Sequence, residues 1–245
     1  LMSLLFIFGH DWLTQCDYFR AETVRVSGIR KVSEQQIMKA AKITKGVNIL
    51  SVNLATARKR LLALSWIAGA EIRREFPGTI SIRVREHKPV AVIDLGKPFL
   101  VNGRGEIFME AQNARFPDLP VIKGADYQDW KADKSGNTPL SEAVVSLLQL
   151  GESQQSAVPV DRISRIHVDP ELGVTLETSG FPAARIHLGY GSYADKYRRL
   201  SEILDYSRHN DGPGEFAEID LRYPDRIVAS PAKAQTDQAK PQKEA

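Results

Sequence analysis

From Ala68 to Arg85 the chain keeps a period of two. Ala68, Ala70, Ile72, Arg74 and Phe76 alternate with Gly69, Glu71, Arg73 and Glu75. After Pro77-Gly78, Ile80, Ile82 and Val84 alternate with Ser81, Arg83 and Arg85. Side chains of a strand alternate between faces and Pro-Gly is a turn dipeptide, so the spacing predicts a hairpin with one core face and one charged face. Two helices are expected before it. Ser33 followed by Gln36 reads as a capping box, with Val32 and Ile37 as its hydrophobic staple. Asn53 caps the second helix, where Leu54, Ala57, Leu61 and Leu64 share a face and Arg58, Lys59 and Arg60 lie on the wet side. Residues 22–26 (ETVRV) alternate and stop at Gly28. The order is strand, helix, helix, strand, strand, with an expected core of Val24, Val26, Ile37, Leu61, Ile72, Ile82 and Val84.

Pro89 opens a different texture. Residues 90–95, 99–102, 106–110 and 119–122 are short strand-like runs punctuated by Gly96, Gly103-Arg104-Gly105 and Pro117. Thr138-Pro139 starts a helix whose apolar face is Leu140, Val144, Leu147 and Leu148. Residues 163–168 and 173–178 read as strands about Pro170-Glu171-Leu172, and 185–188 as another. Ser192 is expected to cap a helix that aligns Tyr193, Tyr197, Leu200 and Leu204, with Arg198 and Arg199 facing water or a partner and Gly212-Pro213-Gly214 beyond.

The folded chain is expected to end on two strands and a tight turn. Ala217, Ile219, Leu221 and Tyr223 alternate with Glu218, Asp220 and Arg222; Pro224-Asp225 turns; residues 226–229 form the last strand. A strand at a sheet edge leaves unpaired backbone groups, a template for another chain. The candidate partner-binding residues are therefore Tyr223, Arg226, Ile227, Val228 and Ala229. Val228→Pro is expected to abolish partner binding while leaving the fold largely intact, because proline lacks the N–H an added strand would use; if that N–H pairs inward, the substitution damages the sheet instead. Residues 230–245, without an aromatic, are expected to be disordered.

The chain of 245 residues is long enough for one or two domains, and its net charge of +3 is too small to imply nucleic acid. A single cysteine, Cys16, excludes an internal disulfide framework. Residues 1–8 (LMSLLFIF) are apolar apart from Ser3, and the chain opens on Leu. Eight residues are fewer than the roughly 20 a membrane helix needs. They read as the exit end of a transmembrane helix, with Trp12 and Tyr18 at the interface, or as a signal-peptide remnant or a buried strand.

No catalytic constellation can be assembled. His10, His87, His167, His187 and His209 lack metal spacing, and Gly189-Tyr190-Gly191-Ser192 lacks the order of a nucleophile elbow. No cofactor, metal site, catalytic residue or small-molecule substrate is expected. Arg73, Arg74, Arg83, Arg85 and Lys88 form a basic strip that could meet nucleic acid or anionic headgroups. Glu71, Glu75 and Glu86 interleave with it, which suits a solvated mixed face.

Several motifs carry a resemblance. Val24-Arg25-Val26-Ser27-Gly28, Ser33 with Ile37, and residues 46–54 resemble the opening of a POTRA (polypeptide-transport-associated) domain. Trp66-Ile67, residues 74–80 and residues 84–91 resemble the branch found in the bacterial cell-division family FtsQ/DivIB. Residues 99–102, 105–108 and Ile219-Asp220-Leu221-Arg222-Tyr223 resemble that family's C-terminal β domain, although Pro224 stands where a glycine commonly follows the tyrosine region. The resemblance runs from about residue 19 to 229.

It implies an α+β chain. The expected segments are 1–18, the end of a membrane helix; 19–88, the POTRA domain; 89–229, a β-rich domain with two helices on an antiparallel or mixed sheet; and 230–245, a tail. The implied role is a non-enzymatic divisome scaffold at the inner membrane, its bulk extracytoplasmic at the septum. It would bind FtsB and FtsL by strand addition to its last strand, and other division proteins through the POTRA domain. The rival readings are a POTRA-bearing translocation or outer-membrane assembly component, and a periplasmic hydrolase.

Overall fold

The computed structural model describes residues 17–111, 116–130, 138–153, 155–210 and 213–232. The anchor expectation, with Trp12, lies outside the described residues apart from Asp17 and Tyr18, as do Cys16 and Gly212. Among the described residues no helix is long and apolar enough to cross a membrane. The chain divides into two compact units, one ending at Lys88 and the next beginning at Pro89.

The first unit contains β1 (Thr23–Ser27), α1 (Glu34–Ala41), α2 (Leu54–Leu62), β2 (Ile67–Glu75) and β3 (Thr79–Glu86). The sheet order is β1-β3-β2, β1 running parallel to β3 and β2 antiparallel to it. Local chemistry sets the helix starts. The Ser33 side chain accepts from the Gln36 N–H while Gln36 reaches back to the Ser33 N–H, and Asn53 accepts from Thr56. Ile80, Ile82 and Val84 of β3 are buried against Ile37, Ala57 and Leu61 of the helices. Val26, expected in the core, is only half-buried at its margin.

The hairpin departs from strict alternation in two places. A bulge between Ile67 and Gly69 shifts the register, so Ile67 rather than Ala68 enters the core. Phe76 lies beyond the strand, 65% exposed, with its ring edge-on to Phe19. Arg74 leaves the basic strip for the helix side, where Nε donates to the Ile49 carbonyl at 2.6 Å and Nη2 to the Val52 carbonyl at 2.7 Å. A guanidinium there satisfies loop carbonyls that no ladder reaches. On the wet face Arg25 pairs with Glu75, and Arg73 and Arg83 with Glu71.

The second unit is one mixed sheet with helices on a single face. Its elements are β4 (Pro89–Asp94), β5 (Pro98–Asn102), β6 (Ile107–Glu110), β7 (Val121–Lys123), α3 (Tyr127–Trp130), α4 (Pro139–Gly151), β8 (Ile163–Asp169), β9 (Gly173–Thr178), β10 (Ala183–Gly189), α5 (Tyr193–His209), β11 (Phe216–Asp220) and β12 (Val228–Pro231). The order is β12-β11-β10-β9-β8-β7-β4-β5-β6. One cross-strand row carries the core: Ile93, Ile122, Ile166, Leu176, Ile186 and Ile219, all fully buried, ending on Ala229. Each such side chain contributes roughly 1.5–3 kcal/mol relative to exposure. Leu140, Val144, Leu147 and Leu148 of α4 and Tyr197, Leu200 and Leu204 of α5 pack in the same cluster. The opposite face is polar: Arg165 pairs with Glu177, Arg185 and His187 with Glu218, and Arg222 with Asp220. The short α3 had no sequence signal; its buried Trp130 donates Nε1–H to the Gly105 carbonyl at 2.9 Å.

Three expectations for this unit are corrected. Ser192 sits at the head of α5 but in a left-handed conformation without a side-chain cap bond. The penultimate strand ends at Asp220, and a bulge between Phe216 and Glu218 puts Phe216, not Ala217, into the core and leaves Tyr223 outside the strand. The last strand is Val228–Pro231 rather than 226–229, so Ser230 and Pro231, expected in the tail, are paired; Ala232 N–H also donates to the Glu215 carbonyl. Residues 233–245 lie outside the described residues.

Candidate partner-binding edge

β12 is the outermost strand of the nine-stranded sheet, beside β11. Which of its backbone groups face outward follows from its neighbours. Leu221 N–H donates to the His187 carbonyl of β10 at 2.9 Å. Successive N–H groups of a strand point to opposite sides, so the Asp220 N–H faces β12. Asp220 pairs with Val228 and Glu218 with Ser230. The backbone groups of Val228 and Ser230 are therefore spent inward, and Ala229 N–H and C=O face away from the sheet. Pro231 stands opposite Phe216, and the bond from Ala232 N–H to the Glu215 carbonyl places it in the outward phase too.

The five sequence candidates occupy different positions on this edge. Ile227 and Ala229 are half-buried, with side chains against the core. Val228 is 49% exposed on the polar face. Tyr223 is 41% exposed, and the Arg226 guanidinium lies 4.3 Å from its ring centroid. The structure brings Tyr223 and Arg226 together through Arg199 of α5. Its Nη1 donates to the Tyr223 carbonyl and its Nη2 to the Arg226 carbonyl, both at 2.9 Å. One planar guanidinium spanning two carbonyls fixes the turn that feeds β12.

Sequence reasoning did not assign these supporting residues. Arg199 reads as one more solvated helix cation, and only its two distant acceptors reveal its role. Lys196, one turn earlier, is buried; Nζ donates to the Leu188 and Tyr190 carbonyls at 2.6 and 2.8 Å, closing the end of β10. Burial, and secondarily Arg199, push its pKa down. Arg222 grips Asp220 with Nε at 3.0 Å and Nη2 at 2.6 Å, and this bond holds the Asp220 carboxyl below the usual range. Gly189, at φ +64, lets the Arg222 stem pass: a Cβ there would stand 3.1 Å from Arg222 Cγ. Among the described residues no cluster of His, Cys, Asp and Glu could hold a metal.

Comparison with known proteins assigns the two units. A model described as POTRA domain, FtsQ-type, matches residues 19–87, and one described as Cell division protein FtsQ/DivIB, C-terminal, matches residues 90–222. The chain belongs to the FtsQ/DivIB family. Proteins named cell division protein FtsQ resemble it over most of its length. That of Anaeromyxobacter sp. (strain K) is 32% identical over 206 residues, covering 83% of this chain and 67% of the relative. That of Geotalea daltonii is 30% identical over 213 residues, 86% and 75% of the two chains, and that of Syntrophotalea carbinolica 30% over 225 residues, 90% and 77%. The FtsQ/DivIB match ends at Arg222, so the Arg199-held turn and β12 are characterised by their geometry alone. An edge with one outward backbone pair and a clamped approach is suited to recognition.

Proposed function

We propose that this FtsQ/DivIB chain is a non-catalytic scaffold of the bacterial division machinery. It accepts an extended segment of the FtsB–FtsL pair along β12, outside the inner membrane, to which its N-terminal segment anchors it. Backbone hydrogen bonds to Ala229 supply affinity, and Tyr223, Arg226 and Val228 supply choice of partner. The POTRA unit is available to other division proteins. The observation that carries this reading is the outward Ala229 N–H and C=O on the terminal strand of the sheet. The test is calorimetric titration of the chain with the extracytoplasmic FtsB–FtsL pair, native and as Ala229→Pro. Proline there removes the outward donor, and Pro231 in the same phase already shows that β12 accommodates the ring. Binding should be lost with the melting temperature nearly unchanged; undiminished affinity removes strand addition at this edge.

A further inference from the structure

We infer that the end of the first unit where the chain enters is a lipid-binding platform, on which Tyr18 and Phe76 seat the unit against the headgroups of the bilayer. The inference rests on the anchoring part of the reading above and is independent of the β12 edge. The two rings come from opposite ends of the unit's sequence. Tyr18 stands edge-on to Phe19 with centroids 5.1 Å apart, and Phe19 edge-on to Phe76 at 6.0 Å. Tyr18 is 69% and Phe76 65% exposed, and the half-buried Phe19 joins them. Single exposed apolar side chains are ordinary on a soluble surface, whereas linked rings at one end of a unit form a patch.

Backbone bonds hold the patch from both sides. Ile49 N–H donates to the Phe19 carbonyl and Ala21 N–H to the Val47 carbonyl, both at 2.8 Å. Glu22 N–H donates to the Gly78 carbonyl at 2.9 Å, which ties the β2–β3 turn to the entering chain. A Cβ at Gly78 would stand 2.6 Å from the Arg20 carbonyl oxygen, so this approach requires glycine. The occupant follows from where the chain comes from. Residues 1–8 are apolar apart from Ser3, and ten residues separate Phe8 from Phe19. Those residues are a tether of about 40 Å at most. β1 and the parallel β3 both run away from this end, and the chain leaves the unit beyond β3. A bilayer holding the apolar run is therefore the one surface that every anchored copy meets here. Aromatic rings settle at headgroup depth. The charges around them suit that layer: Arg20, Lys42 and Lys45 are exposed, and of the two carboxylates Glu22 and Glu75 the second is paired with Arg25.

Depth can be read with a spin label. The full chain, in a Cys16→Ser background, is reconstituted in vesicles of phosphatidylcholine and phosphatidylglycerol. A nitroxide is placed at Glu22→Cys, beside the Phe76 turn, or at Lys31→Cys, whose N–H bonds Glu86 at the other end of β3. Relaxation by oxygen, which concentrates in lipid, is compared with relaxation by a water-soluble nickel chelate. The Glu22 label should be open to oxygen and shielded from nickel, and the Lys31 label open to nickel. Tyr18→Ser with Phe76→Ser should return the Glu22 label to the Lys31 level. The variant should still float with the vesicles and melt at the native temperature, because both rings are exposed. A Glu22 label as open to nickel as the Lys31 label overturns the platform while leaving the anchor intact. A label shielded from both reagents means that protein covers the patch, and shielding that survives the double variant means that the rings do not seat it; either overturns the inference. A native chain that does not float with the vesicles overturns the anchor as well.

Discussion

Arg199→Ala should loosen the turn before β12 without unfolding the sheet. The guanidinium makes two charge-assisted bonds, each 2.9 Å, to the Tyr223 and Arg226 carbonyls. Bonds to charged groups contribute about 1.5–3 kcal/mol each when shielded. Both lie at the surface, where water replaces part of what is lost, so the pair is expected to hold the turn by about 1–2 kcal/mol in total. The acceptor on Arg226 is the carbonyl of the bond trypsin would cut. Cleavage through local opening follows the population of the open state, so 1–2 kcal/mol converts to about a 5- to 30-fold faster nick after Arg226. The assay is limited trypsin digestion followed by intact mass, with the thermal melt as control. Arg199→Lys should behave almost like alanine, because a single ammonium on a flexible stem does not reproduce the planar fork. A nicking rate unchanged in Arg199→Ala would refute the clamp.

Other outcomes follow from the same geometry. Val228→Pro should lower the melting temperature of the second unit, because its N–H bonds to β11, while Ala229→Pro should not; equal effects by calorimetry would refute the assigned phase of β12. Ile82→Asp should cost roughly 3 kcal/mol or more, since Ile82 is fully buried in the first unit, and a circular-dichroism melt should show that unit lost. Glu86 accepts the N–H groups of Arg30, Lys31 and Val32 at 2.9, 2.8 and 3.0 Å. Burial alone would raise its pKa, but the bonds from Arg30, Val32 and Lys31 outweigh that and lower it. A lowered carboxylate stabilises above its unfolded pKa and ceases to as pH falls through the folded one. Denaturation midpoints should therefore drop with acidification below about pH 4, and Glu86→Gln should flatten that slope.

Local chemistry made much of the fold legible in the residues themselves. The capping box of Ser33 and Gln36, the Asn53 cap and Thr138-Pro139 each act within one helical turn, and each appears where the sequence places it. The alternation of Ile80, Ile82 and Val84 likewise needs only the strand period and a core to face. The terminal edge was legible as an edge, but its working phase was not. Period-two patterning cannot foresee the bulges at Ile67/Gly69 and Phe216/Glu218, each of which reverses which neighbour faces the core. The outward direction of Ala229 depends on a bond made two strands away, from Leu221 to His187. Arg74 and Arg199 look like their solvated neighbours in sequence. Their roles arise because folding brings distant carbonyls, at Ile49 and Val52 or at Tyr223 and Arg226, within reach of a guanidinium. The sequence by itself determines where helices and strands begin and which faces are apolar, since those depend on neighbours within a few residues. Tertiary structure alone decides strand order, register and which backbone groups of β12 point away from the sheet, because those depend on partners distant in the chain.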